Sequence, residues 1–333
     1  MPIRFTIWGD GAWGTAIAIL LARAPQHHVV LWSARAENGK ILRESRENKR
    51  LLPGVPIPES VELTTDCSRA IAVADLWIAA IPTVYLRETL QKLAPVRRDD
   101  APVLSLTKGL EIGTFMRPTE IVRQVLGVTR VAVLSGPSHA EEVSRGMPAS
   151  VVAAGEDLAL ARWIQQRFAG ERFRVYTSLD VVGVELAGAL KNIVGIAAGI
   201  SDGLGFGDNA KAALLTRGLV EIARFGVALG SEHQTFFGLA GLGDLVTTCI
   251  SRHGRNRAVG TRLAKGEKIQ DIVAGMSMVA EGVYTTRSVY EKAMKMGIDM
   301  PITTEVYRVL YENKDPRAAV SDLMTREPRS EKW

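Results

Sequence analysis

Short apolar runs that alternate with helical patterns occupy the first half of the chain. Residues 4–8 and 29–32 each predict a buried strand, and residues 15–24 between them have the periodicity of a helix. Four further apolar runs have the length of strands, at residues 75–81, 103–106, 131–134 and 150–153. Because strands that alternate with helices form crossover units, this half predicts a parallel, doubly wound sheet.

The pattern changes near residue 181, where long helical stretches replace the short runs. They lie at residues 181–201, 211–229, 282–296 and 302–312. The sequence therefore predicts an α/β protein with a doubly wound domain over 1–180 and a mostly α-helical domain over 181–333. Residues 326–333 have no such pattern and predict a loose tail.

Lys191 lies in an unusually apolar helical stretch, residues 181–201, whose only other charged residue is Glu185. Its neighbours three and four positions away are small or apolar: Ala187, Gly188, Val194 and Gly195. Desolvation lowers the pKa of a lysine towards the range where it exchanges protons at neutral pH, so Lys191 is a candidate proton donor and acceptor. The alternative is a lysine that extends from the helix edge into water. A membrane-spanning helix is excluded because Glu185, Lys191 and Asn192 would each be costly in a bilayer.

A glycine fingerprint, GDGAWG at residues 9–14, separates the first predicted strand from the first predicted helix. In a GxGxxG turn Gly9 permits the tight turn, Gly11 lets a pyrophosphate approach the backbone, and Gly14 allows close helix–strand packing. The helix that follows supplies amide donors and a positive dipole end. The motif predicts a Rossmann-type dinucleotide site; a glycine-rich turn without a ligand is the alternative.

The end of the second predicted strand bears on which dinucleotide binds. An NAD site carries an acidic residue there for the ribose 2′-hydroxyl, while an arginine accommodates the 2′-phosphate of NADP. This chain has Arg35 close after the strand and Glu37 two residues later. Arg35 favours NADP, and Glu37 keeps NAD open.

Composition predicts a soluble globular protein without a disulfide framework or a zinc site. The chain of 333 residues has 47% apolar residues and a net charge of +5, which suits an anionic small molecule as well as nucleic acid. Cys67 and Cys249 are isolated and no HxxxH pair occurs, which predicts a reducing, cytoplasmic setting without a metal site. The first strand begins almost at the N-terminus, so no signal peptide is expected.

Three other segments carry candidate chemistry. Lys108 and the Gly136–Ala140 segment follow predicted strands, where such sheets bind ligands. The second resembles a degenerate GxSxG nucleophile elbow, but a hydrolase fold does not have the N-terminal fingerprint, so Ser138 is interpreted as a substrate donor. The basic run 251–257 offers Arg255 and Asn256 as a phosphate clamp, with a solvated basic face as the alternative. The run has no Phe, Tyr or Trp for base stacking, which argues against nucleic acid.

Taken together, these motifs resemble the bacterial-type NAD(P)-dependent glycerol-3-phosphate dehydrogenases. The resemblance extends from Gly9 to about Leu310. It rests on GDGAWGTA at 9–16, SLTKGLE at 105–111, SGPSHAEE at 135–142, ELAGALKNI at 185–193, GLAGLGDLVTTC at 238–249, RNR at 255–257 and AEG at 280–282.

The resemblance implies reversible hydride transfer between NAD(P)H and dihydroxyacetone phosphate, giving sn-glycerol 3-phosphate for phospholipid synthesis. It makes Lys191 the proton donor and acceptor, and it also implies two groups of binding residues. The substrate group is Lys108, Gly136, Ser138, Lys191, Asp244, Gly254, Arg255 and Asn256. The cofactor group is Gly9, Gly11, Ala12, Trp13, Gly14, Arg35, Lys108, Ala140, Arg255, Val279 and Glu281. A homodimer is compatible with the sequence.

Two positions depart from the family pattern. Asp10 stands where a small residue is usual, which places a carboxylate near the pyrophosphate turn without implying lost binding. Gly254 stands where many members have a hydroxyl residue, so one side-chain contact is missing although the backbone amide can still donate.

Two other functions stay open. A related two-domain dehydrogenase acting on a hydroxy acid or acyl thioester would turn over a substrate that lacks phosphate. A non-catalytic NADP sensor would bind the cofactor without turnover and would not need Lys191 in an apolar setting.

Overall fold

The structure is a computed structural model that describes residues 2–71, 74–96, 101–328 and 330–331. Contacts divide the chain into two compact units. The first comprises Met1–Lys108 and Arg117–Val181, and the second comprises Gly109–Met116 and Val182–Trp333. The chain thus contributes an early segment, residues 109–116, to the unit that contains its second half.

The first unit contains a sheet whose eight strands are found within the described residues. They are β1 (Ile3–Trp8), β2 (His27–Trp32), β3 (Val61–Thr64), β4 (Leu76–Ala79), β5 (Val103–Ser105), β6 (Val131–Ser135), β7 (Ala149–Gly155) and β8 (Phe173–Ser178). Their order is β3-β2-β1-β4-β5-β6-β7-β8, and β1 to β6 run parallel. The reversal of order beside β1 is that of a doubly wound sheet, so the predicted fold class is confirmed.

Helices connect these strands. They are α1 (Ala12–Leu21), α2 (Ala36–Ser45), α3 (Cys67–Ala70), α4 (Thr83–Leu93), α5 (Pro118–Leu126), α6 (Ala140–Ser144) and α7 (Leu158–Phe168), with a short 3₁₀ turn at Ala94–Val96. Hydrogen bonds between a side chain and a backbone amide mark the starts of two of them, α7 and α5. Asp157 accepts a hydrogen bond from the amide of Ala159 at 2.8 Å, and Glu120 accepts one from the amide of Arg117 at 2.8 Å. Each bond satisfies an amide at or beside a helix N-terminus.

The apolar run at residues 150–153 forms a strand as predicted, but its direction is wrong for an all-parallel sheet. Strand β7 runs antiparallel to β6, with Leu134 opposite Ala153. The cause is the short helix α6 between them, because five residues of helix rise about 7 Å and cannot carry the chain back along β6. The chain therefore turns at the same edge of the sheet, and β7 then pairs in parallel with β8.

The parallel part of the sheet places the residues that follow its strands in one row. Trp8 pairs with both Trp32 and Ala79, and Ala79 pairs with Ser105. The glycine turn after β1 therefore lies between the segments that follow β2 and β4. This edge is where doubly wound sheets bind ligands.

The second unit is helical, as predicted. Its helices are α8 (Val181–Gly203), α9 (Asp208–Ala228), α10 (Asp244–Ile250), α11 (Arg255–Ala264), α12 (Ile269–Ala274), α13 (Glu281–Met296), α14 (Pro301–Tyr311) and α15 (Pro316–Met324). Helix α8 is long and apolar enough to cross a membrane, yet 89% of its most apolar window is buried inside the protein. A helix that is apolar all round and buried in this way is a core helix.

Glycines let α11 approach α8 closely. A Cβ atom on Gly199 would lie 2.0 Å from the carbonyl oxygen of Arg257, and one on Gly260 would lie 2.0 Å from that of Ile196. Both obstacles are backbone atoms of the facing helix, which cannot rotate away. The contact fixes the position of α11 along α8, and with it the residues at the start of α11.

We expect Gly199→Ala to lower the free energy of unfolding by about 1–3 kcal/mol, despite the better helix propensity of alanine. The added methyl group must push α11 away from α8. Thermal and urea unfolding of the variant measure the loss. Gly170→Ala is the matched control, because a Cβ there meets nothing within 4 Å, and equal stability of the two variants would contradict the argument.

The segment 109–116 packs into the second unit through two side chains. Leu110 is part of its buried core, and the ring of Phe115 lies edge-on to Phe225 with 5.9 Å between centroids. Lys292 Nζ lies 5.5 Å from the centre of the Phe115 ring. Phe115 holds a left-handed backbone with φ of 60°, which favours glycine, so packing maintains a costly conformation.

The predicted loose tail begins at an anchored residue. Arg326 Nη2 lies 3.0 Å from Asp299 Oδ2, an ion pair within the second unit. Residues 329, 332 and 333 of the tail lie outside the described residues.

Candidate functional site

The turn after β1 has the geometry that the glycine fingerprint predicts. Gly9 has a φ of 111°, and a Cβ there would lie 2.6 Å from the carbonyl oxygen of Ala80. A Cβ on Gly14 would lie 2.0 Å from the carbonyl oxygen of Gly9. By contrast, a Cβ on Gly11 meets nothing within 4 Å. The turn is thus closed at its base and open above Gly11.

The start of α1 has the features of an anion-binding site. The helix begins at Ala12, and no side chain caps its first turn. The first amides of a helix and its dipole attract negative charge. Beside Ala12, the indole Nε1 of Trp13 is buried and has no hydrogen-bond partner among the described residues. These donors and the open space at Gly11 fit the pyrophosphate of a dinucleotide.

One arginine and two carboxylates lie at or near the end of β2: Arg35, Asp10 and Glu37. Arg35 begins the turn into α2, and its exposed guanidinium makes no ion pair with any described residue. Ser33 Oγ is 2.6 Å from Asp10 Oδ2 and 3.1 Å from the carbonyl oxygen of Arg35. Since one hydroxyl donates one proton, the shorter contact to the carboxylate is the stronger bond. Glu37 lies exposed in the first turn of α2.

Lys108 and Ser138 both bond the same carbonyl group. Lys108, after β5, donates from Nζ to the oxygen of Gly136 at 3.0 Å, and Ser138 Oγ donates to it at 2.8 Å. Gly136, after β6, has a φ of 131°, a conformation reserved for glycine. Ala140 is buried at the start of α6. The predicted residues of the first unit therefore share the carboxyl edge of the sheet.

Lys191 is buried on α8, with 6% of its surface exposed. Its helix neighbours are apolar and buried as predicted, but its amine is not in an apolar setting. Lys191 Nζ donates to Asp244 Oδ1 and to Thr248 Oγ1, both at 2.7 Å on α10. The ammonium is thus held by a carboxylate and a hydroxyl, which fix its position and balance its charge.

The residue after Lys191 starts a second chain of hydrogen bonds. Asn256 Nδ2 donates to Asn192 Oδ1 at 2.8 Å, and the amide of Gly282 donates to Asn256 Oδ1 at 2.9 Å. A Cβ on Gly282 would lie 2.7 Å from Asn256 Oδ1, so only glycine allows this approach. Through these bonds Lys191 and Asn192, consecutive residues of α8, hold α10, α11 and α13 in place.

The three arginines of the basic run have different environments. Arg255 is exposed at the start of α11 and donates from Nη1 to the carbonyl oxygen of Val279 at 3.0 Å. Arg257 Nε instead lies 2.5 Å from Asp202 Oδ2, and Lys211 bonds the same carboxylate. Burial would raise the pKa of Asp202, but the bonds from Lys211 and Arg257 hold it below the usual range. Arg252 is exposed and contacts His253. The run is not a uniform solvated face.

Gly254 and Glu281 complete the predicted set. Gly254 precedes α11, and a Cβ there would lie 2.9 Å from the carbonyl oxygen of Thr248. A hydroxyl residue at this position would therefore require a backbone shift. Glu281 begins α13, two residues after Val279. Within the second unit, hydrogen bonds join Lys191 to Asp244, Asn256 to Gly282, and Arg255 to Val279.

Sequence reasoning missed three features of these sites. Thr248 and Asn192 bond predicted residues directly, and both stand inside the motifs: Asn192 follows Lys191, and Thr248 is four residues after Asp244. The segment after β4 also reaches the carboxyl edge, where Thr107 Oγ1 donates to the oxygen of Ile81 at 2.7 Å. Cys249, beside Thr248, is buried, and burial raises the pKa of its thiol to about 12.

Comparison with known proteins covers nearly the whole chain. The family models for the N-terminus and the C-terminus of NAD-dependent glycerol-3-phosphate dehydrogenase match residues 4–161 and 180–321. A protein of Chlorobium phaeobacteroides named glycerol-3-phosphate dehydrogenase [NAD(P)+] is 48% identical over 332 residues, 99% of each chain. One of the same name from Prosthecochloris aestuarii is 47% identical over 329 residues, 98% of this chain and 99% of the other.

A solved structure has the same fold. The crystal structure of glycerol-3-phosphate dehydrogenase from Coxiella burnetii matches with a TM-score of 0.93 and 38% identity, over 97% of this chain and 99% of that one. The glycine turn and Lys191 both lie within the residues that the family models match. The chain therefore belongs to the NAD-dependent glycerol-3-phosphate dehydrogenase family.

Proposed function

We propose that this protein catalyses reversible hydride transfer between NAD(P)H and dihydroxyacetone phosphate, giving sn-glycerol 3-phosphate. The cofactor supplies or accepts the hydride. The observation that supports the proposal most is the buried ammonium of Lys191, held at 2.7 Å from both Asp244 and Thr248 in a chain of this family. Loss of NADPH absorbance on addition of dihydroxyacetone phosphate tests the activity. Cofactor binding without turnover would instead favour a sensor.

Lys191 carries the proton in this proposal. As hydride reaches the carbonyl carbon, negative charge grows on the carbonyl oxygen, and the ammonium donates a proton to it. In the reverse direction the neutral amine removes the proton from the hydroxyl. Asp244 and Thr248 restrict the amine to one position, so that little reorganisation is needed when charge develops.

The remaining substrate roles are proposed from the family resemblance, and their chemistry suits a phosphate ester. In the second unit Arg255 and Asn256 bind the phosphate, with Asp244 and the amide of Gly254 as further contacts. In the first unit Lys108, Gly136 and Ser138 contact the substrate. Lys108 already bonds a backbone oxygen at the edge of the sheet, which holds its charge in place.

The cofactor roles are proposed for residues of each unit. In the first unit Gly9, Gly11, Ala12, Trp13 and Gly14 bind the pyrophosphate, with Arg35, Lys108 and Ala140 as further contacts. Arg255, Val279 and Glu281 contribute from the second unit. The open Gly11 and the indole of Trp13 support the first group.

We expect Arg35→Asp to reverse or erase a preference for NADPH over NADH. Hydrogen bonds to charged groups contribute about 1.5–3 kcal/mol, so the ratio of kcat/KM values should change about 10- to 150-fold. Steady-state kinetics with both cofactors measure the ratio for wild type and variant. An unchanged ratio in the variant would show that Arg35 does not select between them.

Three further properties complete the proposal. The glycerol 3-phosphate formed supplies phospholipid synthesis, the enzyme is cytoplasmic, and two copies form a homodimer. The family resemblance supports the first two, whereas the homodimer is compatible with the sequence and is measured by light scattering of the purified protein.

A further inference from the structure

The carboxylate of Asp10 points to the end of β2. Its backbone is fixed, because Asn48 Nδ2 donates to the carbonyl oxygen of Asp10 at 2.8 Å and to Thr15 Oγ1 at 2.9 Å. Its side chain is fixed as well, because Oδ2 accepts the bond from Ser33 Oγ at 2.6 Å. Ser33 is 2% exposed, so the hydroxyl that holds the carboxylate has a defined place.

This place is where a doubly wound dinucleotide site reads the 2′ position of the adenosine ribose. Ser33 directly follows Trp32, the last residue of β2. An acidic side chain at the end of this strand binds a 2′-hydroxyl, and an arginine nearby accommodates a 2′-phosphate. The chain has both kinds of group here: the Asp10 carboxylate, which comes from the glycine turn instead of β2, and Arg35.

We propose that Asp10 is a second cofactor-selecting residue, whose carboxylate opposes the 2′-phosphate of NADP(H) and accepts the 2′-hydroxyl of NAD(H). The proposal rests on the cofactor site described under the proposed function. Like charges at short range repel, most strongly where protein replaces water on one side. Asp10 therefore weakens the preference for NADPH that Arg35 confers, and the chain uses both cofactors.

Glu37 is the competing source of negative charge. It is two residues beyond Arg35, exposed, and it makes no ion pair or side-chain hydrogen bond with another described residue. A mobile, solvated carboxylate is screened by salt and loses side-chain entropy when it binds. Asp10 loses less side-chain entropy when a cofactor binds, because Ser33 already holds its carboxylate.

The test compares binding of NADPH and NADH to the wild type, Asp10→Asn and Asp10→Ala, followed by the change in protein fluorescence without substrate. Asp10→Asn keeps the shape and removes the charge, and Asp10→Ala restores a small residue. We expect NADPH to bind about 5- to 20-fold more tightly to both variants, with little change or a small loss for NADH. The affinity of both variants for adenosine 2′,5′-bisphosphate, relative to their affinity for 5′-AMP, should rise by the same factor.

A matched control removes a carboxylate from the other edge of the sheet. Glu156 follows β7, whose carboxyl end lies beside the start of β6, and it pairs with Arg123 on the surface. Glu156→Gln changes the net charge by the same amount and should leave both affinities unchanged.

Three results would overturn the proposal: equal gains for NADPH and NADH in both Asp10 variants, no gain in either variant, or the full change in Glu37→Gln instead. Failure of the proposed function is a separate result. It would appear as absence of dihydroxyacetone phosphate turnover in a wild type whose cofactor binding, and its response to Asp10→Asn, remain measurable.

Discussion

Lys191→Met is expected to reduce the rate of dihydroxyacetone phosphate reduction about 10²- to 10⁴-fold while NADPH still binds. Methionine keeps the length and apolar character of the stem, and it removes the only group in this cluster that donates a proton as an ammonium. Single-turnover measurements of NADPH oxidation separate the chemical step from product release. Cofactor fluorescence, measured without substrate, reports whether the first unit is intact.

The variant also leaves the buried carboxylate of Asp244 without its cation, which by itself destabilises a protein by about 3–5 kcal/mol. Lys211→Met controls for the loss of one lysine–carboxylate pair in the second unit. Lys211 Nζ lies 2.6 Å from Asp202 Oδ1, and Asp202 keeps its bond from Arg257 in this variant. We expect the control to unfold at a lower temperature and retain turnover. Near wild-type turnover in Lys191→Met would refute the proton role.

Arg255→Ala should reduce kcat/KM for dihydroxyacetone phosphate about 10- to 150-fold and affect the poor activity on free dihydroxyacetone much less. The phosphate carries the largest charge of the substrate and lies away from the reacting carbon. Binding energy gained there orients the carbonyl group, so its loss should affect both binding and turnover. Steady-state kinetics on both substrates show whether the gap between them narrows.

Arg255→Lys should be nearly as harmful, although it conserves charge. A planar guanidinium matches two phosphate oxygens and an ammonium does not. The bond from Arg255 Nη1 to Val279 restricts this plane further. Arg257→Lys is the matched control, because Arg257 lies on the same helix but pairs with Asp202. Equal small losses for alanine at positions 252, 255 and 257 would mean that none of these arginines is the phosphate ligand.

Much of the first unit could be predicted from the sequence because its signals are local. The turn at Gly9 to Gly14 and the apolar strands beside it need no distant information. Two strands, β3 and β8, were missed because neither consists of a continuous run of apolar residues. In β8, Phe173 and Val175 are buried while Arg174 and Tyr176 are exposed, so no continuous apolar run marks it. In β3, Glu62 and Thr64 alternate with Val61 and Leu63, so this strand has no continuous apolar run either. The direction of β7 depends on the length of α6, which the apolar pattern does not record.

The site illustrates the same limit. The burial of Lys191 could be inferred from its helix neighbours, but its partners Asp244 and Thr248 are 53 and 57 residues further along the chain. Nothing in the periodicity of α8 indicates which residues those are. Likewise, the different environments of Arg255 and Arg257 depend on Asp202, an acidic residue on another helix. Pairings of this kind can be identified only from the three-dimensional structure.

Residues 109–116 make the second unit discontinuous, and this limits how such a chain can be recombined. A single crossover near residue 181 would join α8 to α15 of one parent to residues 109–116 of the other, so that Phe225 packed against a segment with which it had not evolved. Both products would combine core residues from different parents. Exchange of the helical unit between related enzymes therefore requires two separate segments to move together, so the two units are expected to have been inherited as a pair.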